Sequence, residues 1–193
     1  LQELATEVKD ILAQRGDFVI VSMLAGTAIE KIEAALGANY PIIRIMPNVP
    51  AKVGEGMIMF APNDAVSDAQ LSTFLDFMAG AGRFMKLDEK LIAAGAGVAG
   101  CGPAFAAMFI EALADGGVAC GLPRAQAVEL AAQMAKGTAE YILQSGIHPA
   151  ALKDSVCSPG GTTIQGVRAL ERGGFRSSLF EAVAATVEKD SKL

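Results

Sequence analysis

The sequence has no tryptophan, two tyrosines and a single histidine, and these scarcities exclude several chemistries at once. One histidine, His148, set directly before Pro149, cannot build a histidine-rich metal centre or an ordinary histidine-based triad. The three cysteines, Cys101, Cys120 and Cys157, are widely spaced and form no CxxC. They indicate neither a disulfide framework nor a zinc site, and they fit a reducing, cytoplasmic setting. Basic residues are outnumbered, 16 Lys and Arg against 21 Asp and Glu for a net charge of −5, which argues against a broad surface for nucleic acid or anionic membrane. We read no signal peptide and no unbroken apolar run long enough to span a bilayer.

What the chain does have is apolar content. Hydrophobic residues make up 52% of its 193 positions, enough for one large domain or two small ones. Up to about Asp88 the pattern alternates between helical and β-rich runs. It predicts helices over Leu1–Gln14, Ala28–Leu36 and Ser67–Met78, and strands over Phe18–Val21, Ile42–Met46, Gly56–Phe60 and Arg83–Leu87. Phe18–Val21, a helix and Ile42–Ile45 make a βαβ unit with a buried parallel pair.

After Asp88 the strand signals stop. Pro103 suits the opening of a helix on which Phe105, Met108, Phe109, Ala112 and Leu113 share one face. Further helices are expected over Pro123–Gln144 with Gly146 as the stop, over Ala150–Val156, from about Thr162, and after Ser178, where Ser178 and Glu181 have capping-box spacing. The reading is an α/β part, residues 1–87, and an all-α part, residues 88–193.

The segment Ser158–Ile164, SPGGTTI, has the grammar of an anion cradle. Adjacent glycines let successive N–H groups turn toward one point, and the helix start behind them adds unpaired donors. An empty glycine-rich turn with a threonine cap accounts for it equally well. Arg44 interrupts an apolar strand just before Met46–Pro47–Asn48, so it is either a ligand group at a strand end or a buried ion-pair partner. Gly95, Gly97 and Gly100 spell a literal GxGxxG, but no strand precedes it, and close packing of small-residue backbones explains it better. Glu111 and Asp115 share a helix face with no third ligand in view and read as solvated. No metal site is expected.

Three segments resemble the pyrroline-5-carboxylate reductase family. They are RIMPNVPAKVGEG from Arg44, GCGPAF from Gly100 followed by IEALADGGVACGLPR from Ile110, and HPAALKDSVCSPGGTTIQGVRALE from His148. The resemblance extends over essentially the whole chain. It implies an α/β Rossmann-like N-terminal domain and an all-α C-terminal domain that mediates homodimerisation. It also implies reduction of the C=N bond of 1-pyrroline-5-carboxylate to L-proline, the last step of proline biosynthesis, by hydride from NADPH or NADH. Carried over residue by residue, Ser158, Gly160, Gly161, Thr162 and Thr163 would bind the substrate carboxylate, with the Thr163 hydroxyl near the ring nitrogen. Met23, Leu24, Ala25, Asn48 and Ser155 would face the cofactor.

Where family members commonly read SGSGPAY this chain has Ala99–Phe105, AGCGPAF, which removes hydroxyl groups from that turn. The chain also begins at what resembles the middle of the Rossmann domain, so two βαβ units, roughly 60 residues with the pyrophosphate fingerprint, are expected upstream. Two alternatives stand beside the reductase. A related two-domain hydroxy-acid reductase would place a lysine near the domain junction, where only Lys90 is available. A non-catalytic helical dimerisation fragment is the other.

Overall fold

The structure, a computed structural model, describes residues 1–192, which form two compact units. One unit holds Leu1–Pro103 and the chain from Val183 onward; the other holds Ala104–Ala182. In the first, the order is α1 (Gln2–Ala13), β1 (Ile20–Ser22), α2 (Ile29–Leu36), β2 (Ile42–Met46), a 3-10 turn (Val49–Val53), β3 (Gly56–Pro62), α3 (Asp68–Met78) and β4 (Gly82–Lys86). The four strands form one sheet in the order β1-β2-β3-β4. The βαβ unit is present, with Ile20 beside Ile42 in a parallel pair. β3 runs antiparallel to β2, because the connection Pro47–Glu55 is shorter than the dozen or so residues that a parallel crossover needs. α3 supplies such a crossover between β3 and β4, which are parallel.

Local chemistry sets the helix ends. Gly37 closes α2 in the left-handed region at φ 69°, where a residue with a Cβ is disfavoured. Ser67 opens α3 with a reciprocal capping box to Gln70, a signal legible as S-x-x-Q.

Both faces of the sheet are covered, and the two-residue period of β2 divides its side chains between them. Ile43 and Ile45 pack with Ile58, Phe60 and Phe74 under α3. There Phe74 and Phe84 meet edge to face with ring centroids 5.9 Å apart. On the other face Ile42 joins Ala5, Ile29, Ile32 and Leu36 of α1 and α2. Met59 and Ala61 pack there against Ile92. Between these two apolar clusters, on the same face, lies Arg44.

The Arg44 side chain is 8% exposed, and its Nη1 pairs with Glu89 Oε1 at 3.1 Å. The same Glu89 oxygen accepts the backbone N–H of Ile29 at 2.7 Å. Ala28, the N-cap of α2, has no capping side chain, so Glu89 serves as a remote cap and brings negative charge to the positive end of that helix. Of the two readings of Arg44, the structure bears out the ion pair.

Glu89–Leu91 form a 3-10 turn that leads into α4 (Ile92–Gly95) and a π-turn, Ala96–Gly100. The glycines of the GxGxxG string therefore lie in helical backbone. A Cβ on Gly97 would meet Thr186, Val187 and Val183 at 3.0–3.3 Å, so the close-packing reading holds. The strands end at Lys86, and the division between the compact units falls after Pro103.

The remaining helices are α5 (Gly102–Ala119), α6 (Arg124–Ser145), α7 (Pro149–Ser155), α8 (Thr162–Arg172) and α9 (Phe175–Asp190). Gly146 stops α6 in the left-handed region as expected. The start of α9 differs from expectation. Gly174 takes φ 71° at the junction with α8, the helix begins at Phe175, and the Ser178 hydroxyl donates back to the Gly174 carbonyl at 3.1 Å. Ser178 thus lies inside the helix and forms no capping box with Glu181. The helical segments from Glu89 to Ala119 are, by length and composition alone, long and apolar enough to cross a bilayer. This corrects the sequence reading of no such run, which the many alanines and glycines between Leu91 and Ala107 obscure.

Removing Glu89 strands a buried guanidinium, whereas removing Arg44 leaves only a partly exposed carboxylate. Glu89→Ala is expected to cost about 2–3 kcal/mol in urea unfolding, and Arg44→Met clearly less. The reverse order would show that the pair does not hold this face together.

Candidate functional site

In the first unit the candidate residues lie beyond the carboxyl ends of β1 and β2. Met23, Leu24 and Ala25 form an exposed loop after β1, with Met23 64% exposed. The Ser22 hydroxyl accepts the Leu24 N–H at 3.4 Å. Gly26 then turns the chain at φ 63°. An open, mostly apolar loop with a small residue at its end fits a flat ring. Among the described residues of this unit, no glycine-rich turn of the phosphate-binding kind joins a strand to a helix.

Asn48 follows β2 and is part-buried. Its Oδ1 accepts the Met57 N–H at 3.0 Å and its Nδ2 donates to the Ala99 carbonyl at 2.9 Å. Lys90 pairs with Asp88 at 3.5 Å with both side chains well exposed, the pattern of a surface charge.

The second unit carries the cradle. His148 is the N-cap of α7, with its Nδ1 accepting the Ala150 N–H at 3.2 Å, and Pro149 opens the helix. This is a more specific structural task than that of a plain loop residue. Lys153 hydrogen-bonds to Asp154, and that bond raises the pKa of its ammonium above the ordinary lysine value. Ser155 closes α7, and its hydroxyl donates to the Leu152 carbonyl at 2.7 Å.

Then come four residues that make one turn. The Gly161 N–H donates to the Ser158 carbonyl at 3.0 Å, Pro159 takes the second position, and Gly160 the third at φ 71°. That is the sequence grammar of a type II turn. Gly161 is the N-cap of α8 and provides no side-chain cap. A Cβ there would collide with the Ser158 hydroxyl and approach its carbonyl at 3.1 Å. Thr162 and Thr163 start the helix, both exposed. Among the described residues neither hydroxyl has a protein hydrogen-bond partner. The turn therefore presents a helix start with a clear approach and two free hydroxyls, a donor set suited to a carboxylate.

The structure thus places Met23–Ala25 and Asn48 in the first unit, and Ser155, Ser158 and Gly160–Thr163 in the second. Among the described residues no group of His, Cys, Asp and Glu is arranged to hold a metal. Asp115 pairs with Arg124, both exposed, in keeping with a solvated face. Two polar residues that organise the first unit escaped sequence reasoning. Glu89 carries no local signal, since its partners lie 45 and 60 positions away. Asn63 accepts the Ile42 N–H and donates to Glu33 and to the Tyr40 carbonyl, and only its place at a strand end hinted at a role.

Residues 89–193 match the family described as pyrroline-5-carboxylate reductase dimerisation. The chain is 45% identical over 177 residues to the pyrroline-5-carboxylate reductase of Escherichia coli, covering 92% of this chain and 66% of that protein. It is 47% identical over 175 residues to that of Synechocystis, covering 91% and 65%. It therefore spans about two thirds of the length of these relatives. Among solved structures, Plasmodium falciparum pyrroline carboxylate reductase with NADP bound superposes with a TM-score of 0.90 at 32% identity, over 99% of this chain and 76% of that one. The Coxiella burnetii reductase gives 0.90 at 30%, over 99% and 71%.

Gly160 and Gly166 separate turn geometry from helix propensity. Gly160→Ala forces a Cβ into a left-handed residue and should cost about 1 kcal/mol, whereas Gly166→Ala, inside α8 with open space around it, should stabilise by roughly 0.5–1 kcal/mol. Chemical denaturation of the two variants checks the contrast, and equal signs would contradict the turn.

Proposed function

The chain belongs to the pyrroline-5-carboxylate reductase family, and we propose that its activity is reduction of 1-pyrroline-5-carboxylate to L-proline, with NADPH or NADH as the reductant. The observation that carries this reading is the Ser158–Thr163 turn. Its geometry suits a carboxylate, and it lies in the family's dimerisation segment, residues 89–193. Met23–Ala25 and the strand-end segment with Asn48 would face the nicotinamide, with Ser155 a further cofactor-side residue. The Plasmodium relative has NADP bound, which supports the choice of a nicotinamide cofactor.

When bound, the dihydronicotinamide supplies a hydride. The chain's own groups have a positioning task. The N–H groups at the start of α8 hold the carboxylate and thereby fix the ring. The Thr163 hydroxyl would hydrogen-bond the ring nitrogen. These groups would hold the carbon of the protonated C=N bond toward the reductant, and the π electrons of that bond would become the nitrogen lone pair of the product amine. No strong base is needed at the nitrogen of the product amine.

Association with a second copy belongs to the same proposal. Between Ala104 and Ala182 the buried apolar residues are Ala114, Ala127 and Ala131, while Met108, Leu130 and Phe180 are exposed, Phe180 by 80%. So little buried surface is meagre support for an isolated unit of this size. A homodimer would supply the rest and would also cover the apolar run through α5. A cytoplasmic location fits three cysteines that are all unpaired.

Oxidation of NADPH and of NADH, followed with 1-pyrroline-5-carboxylate, tests the activity. Folded protein with no turnover on either cofactor would overturn it. Thr163→Ala should lower kcat by about tenfold or more with the unfolding transition unchanged; unaltered kinetics would remove the role of its hydroxyl.

A further inference from the structure

Pro103 creates a local problem in the helical stretch of the first unit. Without an N–H, it cannot give Ala99 the donor that a helical carbonyl receives from four residues ahead. Just here the helix widens into the π-turn Ala96–Gly100, closed by the Cys101 N–H on the Ala96 carbonyl at 2.8 Å. The Ala99 carbonyl takes its hydrogen bond from outside, from Asn48 Nδ2 at 2.9 Å. The other end of the same amide accepts the Met57 N–H at 3.0 Å. Both partners are backbone groups of fixed polarity, so the amide has one workable orientation.

Asn48 is also the N-cap of the 3-10 turn Val49–Val53, a position where asparagine ordinarily caps its own helix, yet it makes no such bond. The side chain forgoes the local bond for two distant ones. It ties the loop after β2 to the first residues of β3 and to the turn that precedes α5.

We propose that Asn48 is a positioning residue for the hydride transfer. It acts through the Ala99 carbonyl and the Met57 N–H, and holds the strand-end loop and the Ala96–Gly100 turn in one fixed arrangement. It does not serve as a direct ligand of the cofactor. This rests on the reductase reading given above.

The test uses the intact enzyme and two readouts, amide hydrogen exchange and steady-state kinetics. Asn48→Ala should speed exchange at both Met57 and Cys101. Asn48→Asp keeps an acceptor for Met57 but sets an oxygen against the Ala99 carbonyl, so it should speed exchange at Cys101 alone. Both variants should lower kcat by about tenfold, with KM for imine and cofactor changed by no more than about threefold. In Asn48→Ala/Pro103→Ala the new N–H at position 103 can serve the Ala99 carbonyl, and part of the lost kcat and of the Cys101 protection should return.

A rise of about tenfold in cofactor KM with kcat retained would make Asn48 a direct ligand and overturn the proposal. Unchanged exchange at Cys101 in both single variants would overturn it as well. Wild-type protein without turnover would defeat the reductase reading, and hydride positioning with it, whereas an active wild type with unaffected variants would defeat this inference alone.

Discussion

One buried cation organises the sheet-bearing unit. Arg44 sits in β2 among isoleucines, on the face where α2 and α4 pack, and Glu89 meets it there while capping α2. The pair does not add much stability, because desolvating two charges consumes most of what their attraction returns. Its stronger effect is on register. A slip of β2 by one residue would swap its faces and send Arg44 among Phe60, Phe74 and Ile58, where no carboxylate waits. Arg44 Nε is already buried without a partner, so the arrangement tolerates no further loss. Through one carboxylate oxygen, the start of α2, the middle of β2 and the first residues of the helical segment are held to a common point.

Much of this was legible from periodicity and capping chemistry, because those are local. The parallel pair of β1 and β2, the crossover through α3, the stop at Gly146 and the start of α8 behind Gly161 all follow from residues a few positions apart. The antiparallel pairing of β2 with β3 was not read from the sequence, although the short connection Pro47–Glu55 requires it. Arg44 could only be narrowed to two roles, since its partner lies 45 positions away and nothing local marks Glu89. The Ser178–Glu181 spacing misled for a related reason. A capping box needs the chain to be leaving a loop, and Gly174 had already turned it into α9.

The helical unit shows a different limit. The stripe Phe105, Met108, Phe109, Ala112 and Leu113 reads as a buried face, and Phe109 does meet Phe175 with ring centroids 6.1 Å apart. Met108 nevertheless stays 67% exposed. Hydrophobic spacing reports that a face must be covered and is silent on whether the cover comes from the same chain. For a segment that matches a dimerisation family, a second copy is the natural cover.

The Ser158–Thr163 turn was legible because backbone geometry leaves a compositional trace: Ser-Pro-Gly-Gly followed by threonines can be written in few other ways. For the reduction proposed above, a hydride acceptor that arrives already protonated would ask chiefly for alignment, and alignment is what caps and turns supply. The one histidine caps α7. Its Nδ1 accepts the Ala150 N–H, so the imidazole steadies the helix that leads into the turn. Asn48 follows the same logic in the other unit, its amide spent on backbone groups and its neighbours held in place as a result. In each unit, a polar side chain that might have been taken for a reactive group instead shapes the backbone.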